Sequence, residues 1–550
     1  MKILPALLVR SAILRGVMFR RPWLIPAISC LLLVSCQKET QVERANREGI
    51  LLVGNSAEPK ALDHQLVTGV IESKLITALF EGLVADDPLK DDASPPGAAA
   101  SWEHNEDMTG WVFHLQQEGK WSDGAPVTAH DFVFAYHRLL HPDFAGPYAE
   151  MLYFLENAEA FNKGKITDFS QVGVKAVDDF TLQVKLREPV PYLPSLTRHY
   201  TWFPVPRHVV LQHGKMTDRF TKWSVLPNMV SNGAFKLTQW RFHDFIEMKR
   251  NPHYWNAANV GLNGIRFYPI ENPYTETRAF LSGQLHTTYQ LPSDLIRTMK
   301  NDHPESLRQE PYVGTSFIRI NTTRPALSDP RVRQALSLSL DRGQICKYIM
   351  EGFFPATSLT PKMGAYEPEA KLRFDPEKAR KLLAEAGFPN GDGFPVFSLL
   401  ISRPAARASA EATQAMWKQH LNIRVNIQNM DWGSFTSAQQ SLNFDMASSG
   451  WVGDYLDPTT FLNMWTPGNG NNNTGWSDPR YLELLREAAL KSDPTERFAL
   501  FREAEGLFMD AQPILPISYQ ARNYLLRPEV KGWHPLLLDN HPWDAIRLER

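Results

Sequence analysis

Two periods of apolar residues alternate along this chain. Ile50-Leu51-Leu52-Val53 is a continuous apolar run of strand length, whereas Leu75, Ile76, Leu79 and Phe80 recur at helical spacing and predict a helix over 71–83. Residues 111–115 read as a short strand, and 181–186 alternate as a half-buried strand does. Residues 235–240 and 245–249 predict the two strands of a hairpin. Thr128 with Asp131 three positions on predicts a capped helix through Phe132, Phe134, Tyr136 and Leu139 to Pro142. In the second half, Asp329-Pro330 and Asp375-Pro376 each set a capping acid before a proline at the first helical position, and Gly387 stops the second helix. A helix over 408–420, strands over 423–427 and from Asp445 towards Trp451, helices over 479–490 and 495–509, and a strand over 514–519 complete the pattern. This alternation predicts a mixed α/β protein. No repeat or long linker divides the chain, so any lobes would be entered by chain crossings.

The first residues follow a different logic. Arg20 and Arg21 precede an apolar run from Trp23 to Val34, and Leu33-Val34-Ser35 leads to Cys36. The run is shorter than the roughly 20 residues a spanning helix needs. A cationic segment, an apolar stretch and a small residue before a cysteine predict a lipoprotein signal over 1–35, with Cys36 lipidated as the first mature residue. An ordinary signal cleaved elsewhere, or a short membrane anchor, are the alternatives. Residues 36–48 follow as a polar tether, in which 37–44 are expected to have no fold of their own.

A 43% hydrophobic and 21% charged composition is that of an ordinary globular protein, and a net charge of −2 argues against a nucleic-acid partner. Of 3 cysteines, Cys30 leaves with the signal and Cys36 carries lipid, so Cys346 stands alone and no disulfide framework exists. In its helical context Cys346 reads as a small buried hydrophobe. The 15 tryptophans suit a binding cleft, though they fill large cores equally well. The chain contains no His-Glu-x-x-His, Gly-x-Ser-x-Gly or phosphate-cradling glycine motif, and its 16 histidines are scattered. Neither an enzyme nor a cofactor or metal site is expected.

Ten phrases, in order, resemble the bacterial oligopeptide- and dipeptide-binding proteins, the extracytoplasmic receptors of peptide-importing ABC transporters. They include Glu58-Pro-Lys-Ala-Leu-Asp63, Leu79-Phe-Glu-Gly-Leu83, Lys120-Trp-Ser-Asp-Gly124, Ser231-Asn-Gly-Ala-Phe235, Asn251-Pro-His-Tyr-Trp255, Asp329-Pro-Arg-Val-Arg333, Lys381-Leu-Leu-Ala-Glu-Ala-Gly387 and Gly450-Trp-Val-Gly-Asp-Tyr-Leu-Asp-Pro458. The resemblance implies an α/β two-lobed periplasmic-binding-protein fold of the large class, its lobes joined by two chain crossings. Lobe I would comprise 49–84, 201–309 and 521–550, an extra subdomain 85–200, and lobe II 310–520. It also implies a monomer that captures short peptides and passes them to ABC permease subunits, and the signal before Cys36 implies that lipid holds it on a membrane. Relatives that bind murein peptides, nickel chelates, haem or sugars, and a peptide sensor or chaperone without a transporter, remain as alternatives.

A peptide in a closed cleft takes an ammonium, a carboxylate and unpaired backbone groups out of water, and each buried charge needs an opposite partner. Asp457 precedes Pro458 and an apolar run, so it reads as a helix cap, leaving Asp454 without a local task beyond a turn bond to its own backbone. The resemblance makes Asp454 the partner of the peptide ammonium. It makes Arg407 a candidate for the carboxylate, through the bidentate geometry of guanidinium, with a solvated helix arginine as the other reading. Two further cationic positions of the oligopeptide binders fall on Ala406 and Ser448, which suggests peptides of about two to five residues. Trp432 and Trp451 match pocket walls, Tyr148, Asn472 and Tyr519 match ligand-facing positions, and Val70 lies where backbone contacts are offered. Taken as plain residues, Trp432 and Tyr519 would be core.

Overall fold

The 14-residue strand Leu307–Ile320 and the 12-residue strand Ile514–Leu525 lie side by side, antiparallel, and organise the whole molecule. The structure, a computed structural model, describes residues 39–402 and 406–549. The apolar run before Cys36, Cys36 itself and the first tether residues lie outside the described residues. At one end of the strand pair, Leu525 packs into a cluster with Phe280, Leu285, Leu291 and Ile296. At the other, Ile318, Ile320, Leu515 and Ile517 belong to a separate core built by the helices Pro330–Leu338, Pro376–Glu385 and Ala406–Leu421. The pair therefore carries the chain twice between two bodies, and its register slips between Pro516 and Ser518 and between Tyr519 and Ala521.

The first body holds two four-stranded sheets. One orders Ile50–Gly54, Gly264–Tyr268, Phe245–Arg250 and Phe235–Arg241, the last two forming the expected hairpin. The other orders Ala99–His104, Gly110–Leu115, Thr181–Lys185 and Val174–Asp178. Both share one continuous core, with Phe80, Phe113, Trp121, Phe132, Trp202 and Trp223 at its centre. The helix Ala129–Leu140 begins as its sequence requires: the Asp131 carboxylate accepts the Thr128 backbone N–H at 2.9 Å. The helix expected over 71–83 spans Val70–Leu79, because Phe80 turns extended and the following residues pass into the core.

In the second body the two long strands join Met446–Val452, Phe397–Ile401 and Val425–Asn429 in a mixed six-stranded sheet, whose remaining edge is Phe354–Pro355. Asp329, Asp375, Asp478 and Asp493 each precede a proline and accept a backbone N–H of the first turn of their helix. Cys346 is buried in the helix Arg342–Tyr348. The final strand expected over 514–519 runs on to Leu525, because it is one of the two crossings and pairs with Leu307–Ile320 beyond the second core.

Two expectations are corrected. Residues 41–48 are a helix, not a structureless tether. Its two buried positions, Val42 and Ala45, are three apart and pack on Leu52, and the Val42 N–H is donated to the Gly283 carbonyl at 2.9 Å. Asp457 is more than a cap. It does accept the Thr459 N–H at 3.1 Å, but its carboxylate is also buried in a two-pronged pair with Arg497, at 2.5 and 2.8 Å. Arg497 in turn lies over the Tyr192 ring, which stacks on Tyr455 at 5.7 Å. That contact joins the first body to the second beside the cleft.

Candidate ligand-binding site

A cavity of about 1060 Å³ opens where the crossing strands pass between the two bodies. Val70, Tyr274 and Tyr289 line it from the first body, Trp432, Phe435, Trp451, Ser448 and Ser449 from the second, and Gln520 and Arg522 from a crossing strand. It is at the upper end of the size range of small-ligand clefts. Its aromatic walls and its position between bodies suit the binding of a solute. No helix among the described residues is long and apolar enough to cross a membrane. No group of acids, histidines and cysteines among them is arranged to hold a metal ion.

Three of the eight residues singled out from the sequence line this cavity: Val70, Trp432 and Trp451. Val70 opens the helix Val70–Leu79 and is 43% exposed. Trp432 begins the helix Trp432–Gln440, is 58% exposed and stacks on Phe435 at 5.8 Å. Trp451 stands on the strand Met446–Val452, and its indole N–H is buried without an acceptor among the described residues. An indole donor with no protein acceptor is suited to a ligand carbonyl.

Asp454 stands just outside the lining. Its backbone N–H is donated to Thr460 Oγ1 at 3.1 Å, while its carboxylate accepts no hydrogen bond from the described residues. Burial, reinforced by the Glu150 charge, pushes the carboxyl up to about 6. Asp454 also raises the Tyr148 phenol, secondarily to burial, and contributes weakly to raising Tyr312, which does line the cavity. A carboxylate with a second acid beside it and no nearby cation is electrostatically unsatisfied. Tyr148 precedes the short helix Ala149–Leu152 and meets His199 edge-on at 5.7 Å.

Tyr148, Arg407, Asn472 and Tyr519 are not among the lining residues. Arg407 is exposed and stands 3.7 Å from Glu411, although the adjacent Ala406 does line the cavity. Asn472 donates its amide to the Trp465 and Trp476 carbonyls and accepts from Thr474 Oγ1, holding its own loop, while its neighbours Asn471 and Asn473 face the cleft. The Tyr519 hydroxyl accepts the Ser358 N–H at 3.0 Å and donates to the Thr360 carbonyl at 3.2 Å.

Sequence reasoning missed Arg319 and Arg522, the two cations among the described residues that line the cavity. Arg522 is paired: Asp539 lies 2.9 Å away, shared with Lys74, and the guanidinium also covers Tyr289 and donates to its carbonyl. Those two cations hold the Asp539 carboxyl well below the usual carboxylate range despite complete burial. Arg319 has no such partner. Among the described residues its one hydrogen bond runs to Gln439 Oε1 at 2.8 Å, its Nε is buried without an acceptor, and the Phe317 and Trp465 rings lie about 6 Å from it. A signal existed, since Phe317-Ile318-Arg319-Ile320 sets a charge within an otherwise apolar run.

A two-lobed body with a solute-sized cleft between chain crossings defines a solute-binding protein. Residues 95–473 match the family model for the middle region of bacterial extracellular solute-binding proteins, family 5, and the chain belongs to that family. It is similar to the periplasmic oligopeptide-binding protein OppA of Salmonella typhimurium, 36% identical over 88% of this chain and 89% of that protein. It is also similar to the periplasmic murein peptide-binding protein MppA of Escherichia coli, 32% identical over 89% of this chain and 90% of that one. Among solved structures, Haemophilus influenzae OppA in complex with RPPGFSPFR superposes with a TM-score of 0.74, at 33% identity, covering 91% of this chain and 99% of that one.

Proposed function

We propose that this protein is a lipid-anchored extracytoplasmic receptor that captures short peptides in the cleft and delivers them to an ABC importer. Asp454 is the observation that carries the reading. A carboxylate pushed up to about 6, with an acid and no cation beside it, is costly unless a ligand brings a positive charge. The ammonium of a free peptide terminus is such a charge. Trp432 and Trp451 then wall the side-chain pockets, Val70 offers backbone groups to an extended ligand, and Tyr148 closes over the amino end. Asn472 holds the loop whose residues Asn471 and Asn473 face the cleft. The relatives named for oligopeptides and murein peptides support the same ligand class. Cys36 in its Leu-Val-Ser-Cys setting supports the lipid anchor.

Native mass spectrometry of protein purified from its own cells, followed by sequencing of released ligand, tests this reading. Peptides with free amino termini are expected. Recovery of a sugar, a chelated metal or haem in their place would overturn it.

A further inference from the structure

Arg319, which lines the cleft, is a second unsatisfied charge, of opposite sign to Asp454. Arg319 lies on the crossing strand Leu307–Ile320, is 7% exposed, and lines the cavity with Gln439. Its side chain projects to the same face as Phe317, two residues before it, and is bounded there by the Trp465 ring. Apart from the 2.8 Å bond to Gln439, the guanidinium has no hydrogen-bonding partner among the described residues, and no acid among them pairs with it. Arg522, by contrast, meets Asp539 at 2.9 Å. Buried cations are ordinarily paired, because an unpaired one costs several kcal/mol of desolvation. Gln439 can fix the fork but cannot neutralise it.

We infer that Arg319, oriented by Gln439, is an anion subsite that takes a carboxylate of the bound ligand, in place of the exposed Arg407. This rests on the peptide reading above, in which the carboxylate is either the peptide terminus or an acidic side chain. Guanidinium presents two parallel N–H donors to a carboxylate, and an enclosed site makes that pairing strong. Burial also lowers the guanidinium to about 10, the direction expected of a cation awaiting its counter-charge. Geometry sets a length. Arg319 pairs with Ala447 and Gly314 with Val452, so five residues of strand, about 17 Å at roughly 3.4 Å each, separate Arg319 from the end that leads to Asp454. An extended peptide of about five residues matches that stretch of strand.

The test is calorimetry on ligand-stripped wild type, Arg319→Met and Arg319→Lys. The probes are penta-alanine, its C-terminal amide, its N-acetyl form, and an amidated pentapeptide carrying one glutamate at varied positions. In wild type, amidation should weaken penta-alanine at least a hundredfold. Arg319→Met should bind the free acid that weakly and no longer distinguish the amide, yet still reject the N-acetyl form. Arg319→Lys should recover part of the loss. If a glutamate restores tight binding of the amide in wild type but not in Arg319→Met, the carboxylate is a side chain and the subsite stands. The ligand-free melting temperature of Arg319→Met should equal or exceed that of wild type, because an unpaired buried charge has been removed. A melting temperature several degrees lower, or undiminished discrimination against the amide, would overturn the assignment while leaving the peptide reading intact. Wild type that binds none of these peptides would overturn the peptide reading and the subsite with it.

Discussion

Replacing Asp454 with asparagine keeps shape and part of the hydrogen bonding and removes only charge, so it isolates what the buried carboxylate does. In the ligand-free protein the carboxyl stands at about 6 against an ordinary 3.8, a difference of two pKa steps. The sign follows from linkage. Between those two values the folded state binds more protons than the unfolded one, so this group's contribution falls as pH rises from about 4 to 6. At pH 7 the full penalty is present, at most about 3 kcal/mol at 1.36 kcal/mol per pKa step. Asp454→Asn should therefore raise the ligand-free melting temperature at pH 7 and leave it nearly unchanged at pH 4.

With peptide bound the sign reverses. On the proposed reading the ammonium supplies the missing partner, and removing one member of a buried pair should cost roughly 3–5 kcal/mol, on the order of a hundredfold to several thousandfold in Kd. Because only the ionised carboxyl attracts the ligand, wild-type affinity should fall about tenfold from pH 7 to pH 5. It should fall again as the peptide amine loses its proton above roughly 8. Calorimetric titration of peptide and N-acetyl peptide against both proteins closes a thermodynamic cycle. Acetylation should weaken wild type as much as Asp454→Asn does, and weaken the variant little further, because both changes remove one interaction. Simple addition of the two losses, or a variant that is less stable without ligand, would show that the ammonium binds elsewhere.

Three shorter expectations follow. Cys36→Ser should move the mature protein from the membrane fraction to the soluble fraction with unchanged peptide affinity; a serine variant that stays in membranes refutes lipidation at Cys36. Asp457→Asn should destabilise the fold by about 3–5 kcal/mol, far more than a lost helix cap, because it strands the buried Arg497 guanidinium, while discrimination against N-acetyl peptide persists; a loss near 1 kcal/mol in denaturant unfolding would show that the pair contributes little beyond capping. Across a series of alanine peptides, affinity should peak at about five residues, and equal binding of dipeptides and ten-residue peptides in calorimetry would refute a cleft bounded by two charges.

How much of this could be read from the chain depended on whether a residue's task is local. Aspartate before proline names a helix start because both partners of the cap lie within a few residues, and Asp329, Asp375, Asp478 and Asp493 all act so. The hairpin at 235–250 was legible for the same reason. Asp457 defeated that logic: its cap is local, but Arg497 lies 40 residues away, and nothing in either segment announces the pair. The helix Gln41–Glu48 has so few apolar residues that its polar composition hid it, and only its docking on Leu52 and Gly283 explains it. The extension of the last strand to Leu525 was likewise invisible, because pairing with Leu307–Ile320 continues it past the second core.

The cleft shows the same division more sharply. Its tryptophans could be named from phrases of sequence, since Trp432 and Trp451 sit in recognisable surroundings. The charges in it and around it could not be sorted in that way. Asp454, Arg319, Arg407 and Arg522 are ordinary residue types on unremarkable elements, and they differ only in what the fold brings to each. Glu411 stands 3.7 Å from Arg407, Asp539 stands 2.9 Å from Arg522, and the described residues bring no opposite charge to Arg319 or Asp454. On the proposed reading, two residues left unsatisfied by the described part of their own protein, with opposite signs and about five residues of strand between Arg319 and the turn that carries Asp454, describe a ligand. It has a positive end, a negative end, and a length.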